Sequence, residues 1–326
     1  MKVCIVGAGA IGGLIGTRLA ACGVATNALA RGATLQALRT HGWRLDGADG
    51  RLQAPLQAED QARALGPHDL VVIAVKGPAL ALVAASNGPL LGPRTLLRPA
   101  RTGVPWWFCE GTPAAGDAPL DSIDPGGRVA AALPFERVLG CVVHASAATP
   151  EPGLVRHQNG LGLIVGEPRG GRSARAQAVV ELLAQAGFEA THSADVRRDL
   201  WYKLWGNLTM NPVSAITGAT VDRVLADPQV RALCSAAMAE AAAIGARIGC
   251  PIEQSPEDRH AVTAKLGAFR TSMLQDVEAG RPIELDAIVG AVHEIGLRVG
   301  VPTPAIGALL GLTRLFARGR GLYPPG

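Results

Sequence analysis

The 326-residue sequence predicts an α/β domain followed by an all-α helical domain. Apolar strand-like runs alternate with helical periodicity through the first 190 residues, beginning with Lys2–Val6 and a glycine-rich turn. From Ser193 onward the pattern is almost wholly helical, with long runs such as Pro228–Ile248. Because the chain is long for one domain, we place a boundary at residue 190. This gives an α/β domain, 1–190, and a helical domain, 191–326, and we expect any active site in the cleft between them.

Composition narrows the class of protein. Hydrophobic residues make up 48% of the chain and charged residues 18%, which is enough for a packed core and argues against disorder. The net charge of +4 is too small to indicate nucleic-acid binding, although it suits an anionic ligand. The sequence contains no uninterrupted run of about 18 apolar residues, so we predict no membrane span. No secretory signal is visible, and the six scattered cysteines form no metal motif, so we expect a cytoplasmic protein with reduced thiols.

A glycine motif follows the first predicted strand. The order is strand, G-x-G-x-x-G, then a helix from Ile11 to Ala21. Gly7 permits a tight turn, Gly9 lets the backbone approach a pyrophosphate, and Gly12 lets the helix pack on the strand. The unpaired N–H groups of the helix N-terminus then point at the phosphates. We therefore predict a Rossmann-type dinucleotide site formed by Gly7, Ala8, Gly9, Ala10, Ile11 and Gly12; the alternative is a glycine-rich turn without a ligand.

Two cations follow later strands and bear on the choice of cofactor. Arg31 stands after the predicted strand Val24–Ala30, where an NAD enzyme places an acidic residue for the ribose hydroxyls. A guanidinium there suits a 2′-phosphate and favours NADP(H) over NAD(H), unless Arg31 is only a solvated loop residue. Lys76 follows the buried run Asp69–Val75 and can reach the cofactor or an anionic substrate. The alternative is a chance surface lysine.

Further strands are predicted beyond this point. The segment TGVPWWF, Thr102–Phe108, is typical either of a rigid loop that closes over a site or of aromatic core filling. Turn residues separate the later β-like runs, and one helix follows them. These elements are Arg94–Pro99, Arg137–Ala147, Gly153–Gln158, Gly162–Val165 and the helix Ala174–Gln185.

The helical half carries polar residues that surface exposure explains poorly. In LWYKLWGNLTMN, Lys203, Asn207 and Asn211 recur every four residues and therefore share one flank of a helix. Ser193 is a plausible N-cap for that helix, with Asp195 in its first turn, and Pro212 should end or kink it. From spacing alone the two asparagines suit substrate binding or capping and bridging between helices equally well.

Three more polar positions stand in the predicted helices after this one. Ser272 and Asp276 lie one turn apart, and Glu284 begins a helix, where a carboxylate also stabilises the N-terminus. The helical runs in this part are Pro256–Glu278, Glu284–Val299 and Ala305–Arg318.

Taken together, these motifs resemble the ketopantoate reductase (2-dehydropantoate 2-reductase) family of the 6-phosphogluconate dehydrogenase-like superfamily. The resemblance spans nearly the whole chain, and the order and spacing of short motifs make it specific. The motifs are GAGAIG at Gly7–Gly12, ARG at Ala30–Gly32, VK at Val75–Lys76, TGVPWWF at Thr102–Phe108, WYKLWGNLTMNP at Trp201–Pro212, SMLQD at Ser272–Asp276 and IELD at Ile283–Asp286.

The resemblance implies NADPH-dependent reduction of a 2-oxo acid to a 2-hydroxy acid on the route to pantothenate and coenzyme A. It implies that Lys203 is the general acid and that Glu284 contacts the cofactor ribose and the substrate. Asn207, Asn211 and Ser272 are implied as substrate hydrogen-bonders, the serine towards the carboxylate, with Asp276 beside them, and Lys76 is implied as a cofactor contact. The chemistry agrees, since a cation beside the carbonyl oxygen stabilises the negative charge that hydride delivery builds there.

One position departs from the family pattern. Thr102 stands where the family normally has an asparagine before Gly-Val-Pro-Trp-Trp, and threonine offers one hydroxyl in place of an amide. This puts the native substrate in question, so reduction of a different branched 2-oxo acid, or a β-hydroxyacid dehydrogenase activity, is the second hypothesis. A non-catalytic NADP(H)-binding sensor is the third. The partner is a small molecule in the first two cases, and the apolar helical half is compatible with a homodimer.

Overall fold

The computed structural model describes residues 1–48, 50–99, 102–116 and 118–325. Contacts divide the chain into two compact units. The first contains Met1–Arg101 and Gly127–Asp199, and the second contains Thr102–Gly126 and Leu200–Gly326. The sequence pattern predicts a single domain boundary, at residue 190. In the structure the boundary follows Asp199, and a segment from the first half of the chain, Thr102–Gly126, belongs to the second unit.

The first unit is built from two sheets and the helices that connect their strands. Its strands are β1 (Val3–Val6), β2 (Thr26–Leu29), β3 (Trp43–Gly47), β4 (Gly50–Ala54), β5 (Ala58–Glu59), β6 (His68–Ile73), β7 (Leu91–Pro99), β8 (Gly140–Glu151), β9 (Leu154–Gly166) and β10 (Glu189–Ser193). Its helices are α1 (Ala10–Ala21), α2 (Gly32–His41), α3 (Ala62–Leu65), α4 (Gly77–Ser86), α5 (Arg128–Ala132) and α6 (Ala174–Gln185).

One sheet is wholly parallel, with the strand order β5-β2-β1-β6-β7. Its central strand β1 is fully buried, as a strand covered on both faces must be. The second sheet has the order β10-β9-β3-β4, and β8 pairs antiparallel with β9. The expected α/β nucleotide-binding architecture is confirmed, but β8 and β9 are long continuous strands where the sequence suggested three shorter ones.

Helix α1 packs against both sheets, and three glycines make this possible. A Cβ on Gly12 would lie 3.0 Å from atoms of Ile5 and Ala74 on the parallel sheet. A Cβ on Gly13 would lie 2.5 Å from Val155 of β9, and one on Gly16 would lie 2.6 Å from the Trp43 ring of β3. Small residues on two faces of α1 therefore let both sheets approach its backbone closely.

The second unit is helical. The division between the units falls inside α7 (Val196–Thr217), and the helices that follow are α8 (Val221–Ala226), α9 (Pro228–Arg247), α10 (Pro256–Ala264), α11 (Ser272–Glu278), α12 (Ala291–Arg298) and α13 (Pro304–Gly319). A π-helical stretch, Asp286–Gly290, leads directly into α12. Among the described helices, none is long and apolar enough to cross a membrane.

Hydrogen bonds attach the segment Thr102–Gly126 to α12. The Glu294 carboxylate accepts from the Asp121 backbone N–H at 3.0 Å, and from the backbone N–H and hydroxyl of Ser122 at 2.9 and 2.6 Å. Arg298 donates to the carbonyl oxygens of Ala118 and Pro119, each at 2.6 Å. Hydrogen bonds between residues more than 170 positions apart explain why this segment groups with the helices, which no local pattern could reveal.

The structure corrects two predictions about α7. Ser193 is the last residue of β10 and not the N-cap. Its hydroxyl accepts from the Asp195 N–H and donates to the Asp199 carboxylate. The Asp195 carboxylate caps the helix instead, by accepting from the Arg198 N–H at 3.2 Å. The helix also continues through Pro212 to Thr217, so Pro212 does not end it.

Two other helix boundaries also differ from prediction. The run Pro256–Glu278 is broken into α10 and α11, because Thr271 begins a new helix by accepting from Leu274 N–H at 3.2 Å. Glu284 lies just before the helical residues and is not itself helical.

Candidate active site

The glycine turn after β1 has the geometry that the sequence predicts. Gly7 has a φ of +93°, which strongly favours glycine, and its N–H donates to the Leu29 carbonyl oxygen at 3.0 Å. A Cβ on Gly12 would overlap the Gly7 carbonyl oxygen, so α1 lies directly against the turn. Both glycines are therefore required by the backbone whether or not a ligand is bound.

Gly9 differs from these two because it is exposed and the space where its Cβ would lie is open. It is the N-cap of α1 and supplies no side chain to the helix, and a Cβ on it would have no atom within 4 Å. The first turn of α1 contains no acidic residue. The backbone N–H groups of Ala10, Ile11 and Gly12 therefore stand at an open, uncapped helix N-terminus, which fits a phosphate group.

Arg31 and Lys76 lie at the same edge of the parallel sheet as this turn. In the register, Val6 at the end of β1 pairs with Leu29 of β2 and with Ile73 of β6. Arg31 is the exposed N-cap of α2, and Lys76 is the exposed N-cap of α4. The first unit thus brings together all the predicted cofactor contacts that it contains, at the carboxyl ends of its central strands.

In the second unit, the two tryptophans of α7 face the helical core. Trp201 donates from Nε1 to the Ala241 carbonyl oxygen at 3.2 Å, and Trp205 donates to that of Met238 at 2.7 Å, both on α9. Trp201 also stacks on Phe108, with ring centroids 5.7 Å apart. Lys203 and Asn207, on another side of the helix, are partly exposed. The rings anchor α7 and leave its polar flank turned away from α9.

Asn211, the third member of this flank, is 4% exposed, and its Nδ2 has no hydrogen-bond partner among the residues that the structure describes. The backbone carbonyl oxygen of Asn211 accepts from the Ser214 hydroxyl at 3.1 Å, and the Ser214 hydroxyl shares a hydrogen bond of 2.7 Å with the Thr271 hydroxyl. Because Thr271 is the N-cap of α11, this chain of contacts brings the exposed Ser272 close to the end of the polar flank.

Asp276 sits one turn further along α11 and is buried. Its Oδ1 accepts from Arg281 Nε at 3.0 Å, and its carbonyl oxygen accepts from Arg281 N–H at 2.8 Å. These bonds close the turn after α11, which favours a structural role for Asp276. Its predicted contact with substrate stays a prediction.

Glu284 and Thr102 are carried by two segments that meet at the π-helical stretch. Val104 donates its N–H to the Ala287 carbonyl oxygen at 2.7 Å, and a Cβ on Gly103 would overlap that same oxygen. Gly103 has a φ of +87°, so no other residue fits this turn without strain. Glu284 lies three residues before Ala287, and π-helical bulges occur often at functional sites.

The chain's C-terminal segment holds the other side of this stretch. Ile283 donates its N–H to the Leu322 carbonyl oxygen at 3.1 Å, and the Tyr323 hydroxyl donates to Asp286 Oδ1 at 2.6 Å. Burial raises the pKa of Asp286 above its ordinary value, and burial together with the Asp286 hydrogen bond raises the pKa of Tyr323 to about 12. Asp286 belongs to the IELD motif, whereas no sequence signal identifies Tyr323, because nothing local links residues 37 positions apart.

The tryptophans of the TGVPWWF segment pack in the core. Trp106, Trp107 and Phe108 are at most 5% exposed, so aromatic core filling is the reading that the structure supports. In the part of the chain that the structure describes, no group of three or more His, Cys, Asp or Glu side chains could hold a metal ion.

A parallel sheet with a glycine turn and uncapped helix N-terminus at its carboxyl edge defines a Rossmann-type nucleotide-binding protein. The comparisons with known proteins make this specific. The family model described as ketopantoate reductase PanE/ApbA matches residues 3–104, and the model of its C-terminal part matches residues 195–317. The chain belongs to the ketopantoate reductase family of oxidoreductases.

Individual relatives agree with this assignment. A 2-dehydropantoate 2-reductase of Mesorhizobium japonicum is 41% identical over 99% of this chain and 100% of that protein. A crystal structure from Ralstonia solanacearum MolK2, assigned as a ketopantoate reductase, is 57% identical with a TM-score of 0.95, covering 99% of both chains. A D-mandelate dehydrogenase bound to NADH and anilino(oxo)acetate has a TM-score of 0.84 at 20% identity, covering 99% of this chain and 100% of that one, which shows a shared fold.

Proposed function

We propose that this protein reduces a 2-oxo acid, foremost ketopantoate, to the 2-hydroxy acid with NADPH. The observation that carries the proposal is the buried Asn211 amide, whose Nδ2 has no partner and which shares a helix flank with Lys203 and Asn207. A buried donor left unpaired costs about 1–3 kcal/mol, so an acceptor on a ligand would relieve it. A carbonyl or carboxylate oxygen of an oxo acid is such an acceptor.

The first unit would hold the dinucleotide. The backbone of Gly7–Gly12 fits the pyrophosphate, the exposed Arg31 guanidinium suits a 2′-phosphate, and the Lys76 ammonium adds a second positive charge at this edge. Arg31 is the basis for preferring NADPH over NADH. When bound, the reduced nicotinamide supplies a hydride to the carbonyl carbon.

The second unit would bind the oxo acid and supply the proton. Negative charge builds on the carbonyl oxygen as the carbon is reduced, and Lys203 Nζ both stabilises that charge and donates a proton to the oxygen. Asn207, Asn211 and Ser272 orient the substrate through hydrogen bonds, and Glu284 contacts the cofactor ribose and the substrate. These roles rest on the family resemblance and on the shared helix flank.

Ketopantoate is the first candidate substrate because the Mesorhizobium japonicum relative is a 2-dehydropantoate 2-reductase. This would place the protein on the route to pantothenate and coenzyme A, in the cytoplasm. Thr102 is the reason to test other branched 2-oxo acids, since its hydroxyl replaces the family's amide. A homodimer is compatible with the proposal, and the neighbouring enzyme from Staphylococcus aureus is a dimeric ketopantoate reductase.

The test is NADPH oxidation by the purified protein with a panel of branched 2-oxo acids that includes ketopantoate. We expect turnover with at least one of them, and we expect Lys203→Ala to lower kcat by about 10²-fold or more, the range for general acid catalysis. Thr102→Asn should change kcat/KM for ketopantoate relative to the other acids. NADPH binding without turnover of any acid would refute the enzymatic proposal and favour a non-catalytic sensor.

A further inference from the structure

Helix α13 ends in a Schellman motif that turns the C-terminal segment back on the helical unit. Gly321 has a φ of +68°, and its N–H donates to the Arg318 carbonyl oxygen at 3.1 Å. The Leu322 N–H donates to the Ala317 carbonyl oxygen at 2.8 Å, and the side chains of Leu322 and Ala317 are both buried. These two hydrogen bonds define the motif, and its left-handed residue is most often glycine. The chain therefore reverses at a fixed point after α13.

Two hydrogen bonds from the reversed segment lie on either side of Glu284. The Leu322 carbonyl oxygen accepts from the Ile283 N–H at 3.1 Å, one residue before Glu284. The Tyr323 hydroxyl donates to Asp286 Oδ1 at 2.6 Å, two residues after Glu284. Consecutive residues of one segment therefore hold the chain on both sides of this carboxylate.

The π-helical stretch before α12 sets the rotation at which the preceding chain leaves that helix. The Ala291 N–H donates to the Asp286 carbonyl oxygen, five residues back, whereas an α-helix would use the Ala287 carbonyl oxygen. The Ala287 carbonyl oxygen accepts from the Val104 N–H at 2.7 Å. One residue of an α-helix corresponds to about 100° of rotation, so a change to α-helical bonding would turn Glu284 by about that angle around the helix axis. The π register therefore determines the direction of Glu284.

Asp286 links the Tyr323 hydroxyl to this register. Its carbonyl oxygen accepts the π-helical hydrogen bond, and its side chain accepts from the tyrosine. Hydrogen bonds to a charged group are stronger than those between neutral groups. Without the hydroxyl, a partly buried carboxylate oxygen would lose this donor, and the present position of Asp286 would be less favourable.

We propose that Tyr323 is a positioning residue for Glu284, an inference that rests on the cofactor contact proposed for Glu284. The hydroxyl holds Asp286 in the π register, and that register directs the Glu284 carboxylate to the ribose of NADPH. Tyr323 acts only by orienting Glu284, so its effect on the cofactor should depend on the Glu284 carboxylate.

The experiment is a double-mutant cycle on the Kd for NADPH, measured by fluorescence titration. We expect Tyr323→Phe to raise that Kd about 5- to 10-fold, which lies within the range for coupled residues. In the Glu284→Gln background, Tyr323→Phe should change the Kd by less than about twofold. The physical reason is that the carboxylate that Tyr323 positions is already absent.

Variants of Asp286 and of the chain's other tyrosine supply the controls. Asp286→Asn keeps an oxygen acceptor for the Tyr323 hydroxyl and should keep the wild-type Kd. Asp286→Ala removes that acceptor and should reproduce the effect of Tyr323→Phe. Tyr202→Phe is the matched control, because its hydroxyl donates to Gln254 Oε1 at 2.8 Å and its loss should leave the Kd unchanged. The melting temperature of each variant monitors its folding.

The outcomes separate a positioning role from a structural one. If Tyr323→Phe raises the Kd by the same factor with and without Glu284→Gln, the two residues act independently and the inference is overturned. An unchanged Kd in either single variant would overturn it as well. The titration needs no turnover, so a wild type that binds NADPH but reduces no oxo acid would overturn the proposed function, and the cycle would still decide this inference. A wild type that does not bind NADPH would overturn both.

Discussion

The two glycines Gly9 and Gly12 should respond in opposite ways to the same substitution, and this tests the dinucleotide site directly. Gly9 has φ −80° and ψ −158°, which an alanine can adopt, and a Cβ there meets no protein atom within 4 Å. Gly9→Ala should therefore leave stability unchanged within about 0.5 kcal/mol, or raise it slightly by restricting the unfolded chain. The new methyl would instead occupy the space where a phosphate approaches.

The expected loss of affinity follows from the contacts at the helix N-terminus. Displacing one charge-assisted hydrogen bond costs about 1.5–3 kcal/mol, which corresponds to about a 10- to 100-fold rise in the Kd for NADPH. In Gly12→Ala the Cβ overlaps the Gly7 carbonyl oxygen and crowds Ile5 and Ala74, so backbone must move. Such overpacking costs about 1–3 kcal/mol, or about 2–12 °C in Tm for a unit of this size.

Thermal unfolding without ligand and a fluorescence titration with NADPH measure both quantities. Gly88→Ala is the control, because its Cβ also meets no atom within 4 Å and it lies in a separate 3₁₀ turn, Gly88–Leu90; both quantities should match the wild type. Wild-type NADPH affinity in Gly9→Ala would show that no phosphate lies against Gly9. An unchanged Tm in Gly12→Ala would contradict the close packing of α1 on the turn.

Three further predictions concern single side chains. Arg31→Ala should raise the Kd for NADPH at least about tenfold and leave NADH unchanged, and equal use of both cofactors by the wild type would remove this role. Asp286→Asn should raise Tm at pH 7, because burial raises the pKa of Asp286 and disfavours its charged form; the gain should vanish as pH falls below about 4, where the unfolded carboxyl is protonated too. Glu294→Gln should lower the free energy of unfolding by about 1.5–3 kcal/mol at pH 7 in urea titrations. Burial alone would raise the pKa of Glu294, but hydrogen bonds from Ser122, Asp121 and Arg298 lower it, so this difference should be lost as pH falls through that lowered pKa.

Much of the first unit could be predicted because its signals are local. A window of ten residues is enough to identify the apolar strand β1, the glycine turn or the buried strand β6. The parallel pairing of the two strands follows from the helices between them. The strands that were missed, such as β3 and β10, are short and mix polar with apolar residues. Both pair with β9, a long-range contact that no window of sequence contains, although β3 also forms a local hairpin with β4.

The glycines of α1 illustrate a second limit. The motif assigned functions to Gly7, Gly9 and Gly12, and the structure gives each of them a distinct environment. The motif could not assign a function to Gly13 or Gly16, because the residues they pack against, Val155 and Trp43, belong to the second sheet. Sequence alone could not separate glycines that admit a ligand from glycines that admit a neighbouring strand.

The polar flank of α7 shows what the structure adds to a correct pattern. Helical spacing already put Lys203, Asn207 and Asn211 together, but it left ligand binding and helix bridging equally acceptable for the asparagines. Bridging would give the N–H groups of the Asn211 side chain an acceptor inside the protein, and among the described residues the buried Nδ2 has none. The backbone carbonyl oxygen of Asn211, in contrast, accepts from the Ser214 hydroxyl, and that hydroxyl is hydrogen-bonded to Thr271, the N-cap of α11. The Ser214 side chain thus links α7 to α11 and leaves the Asn211 side-chain amide without an internal acceptor, as the proposed substrate contact requires.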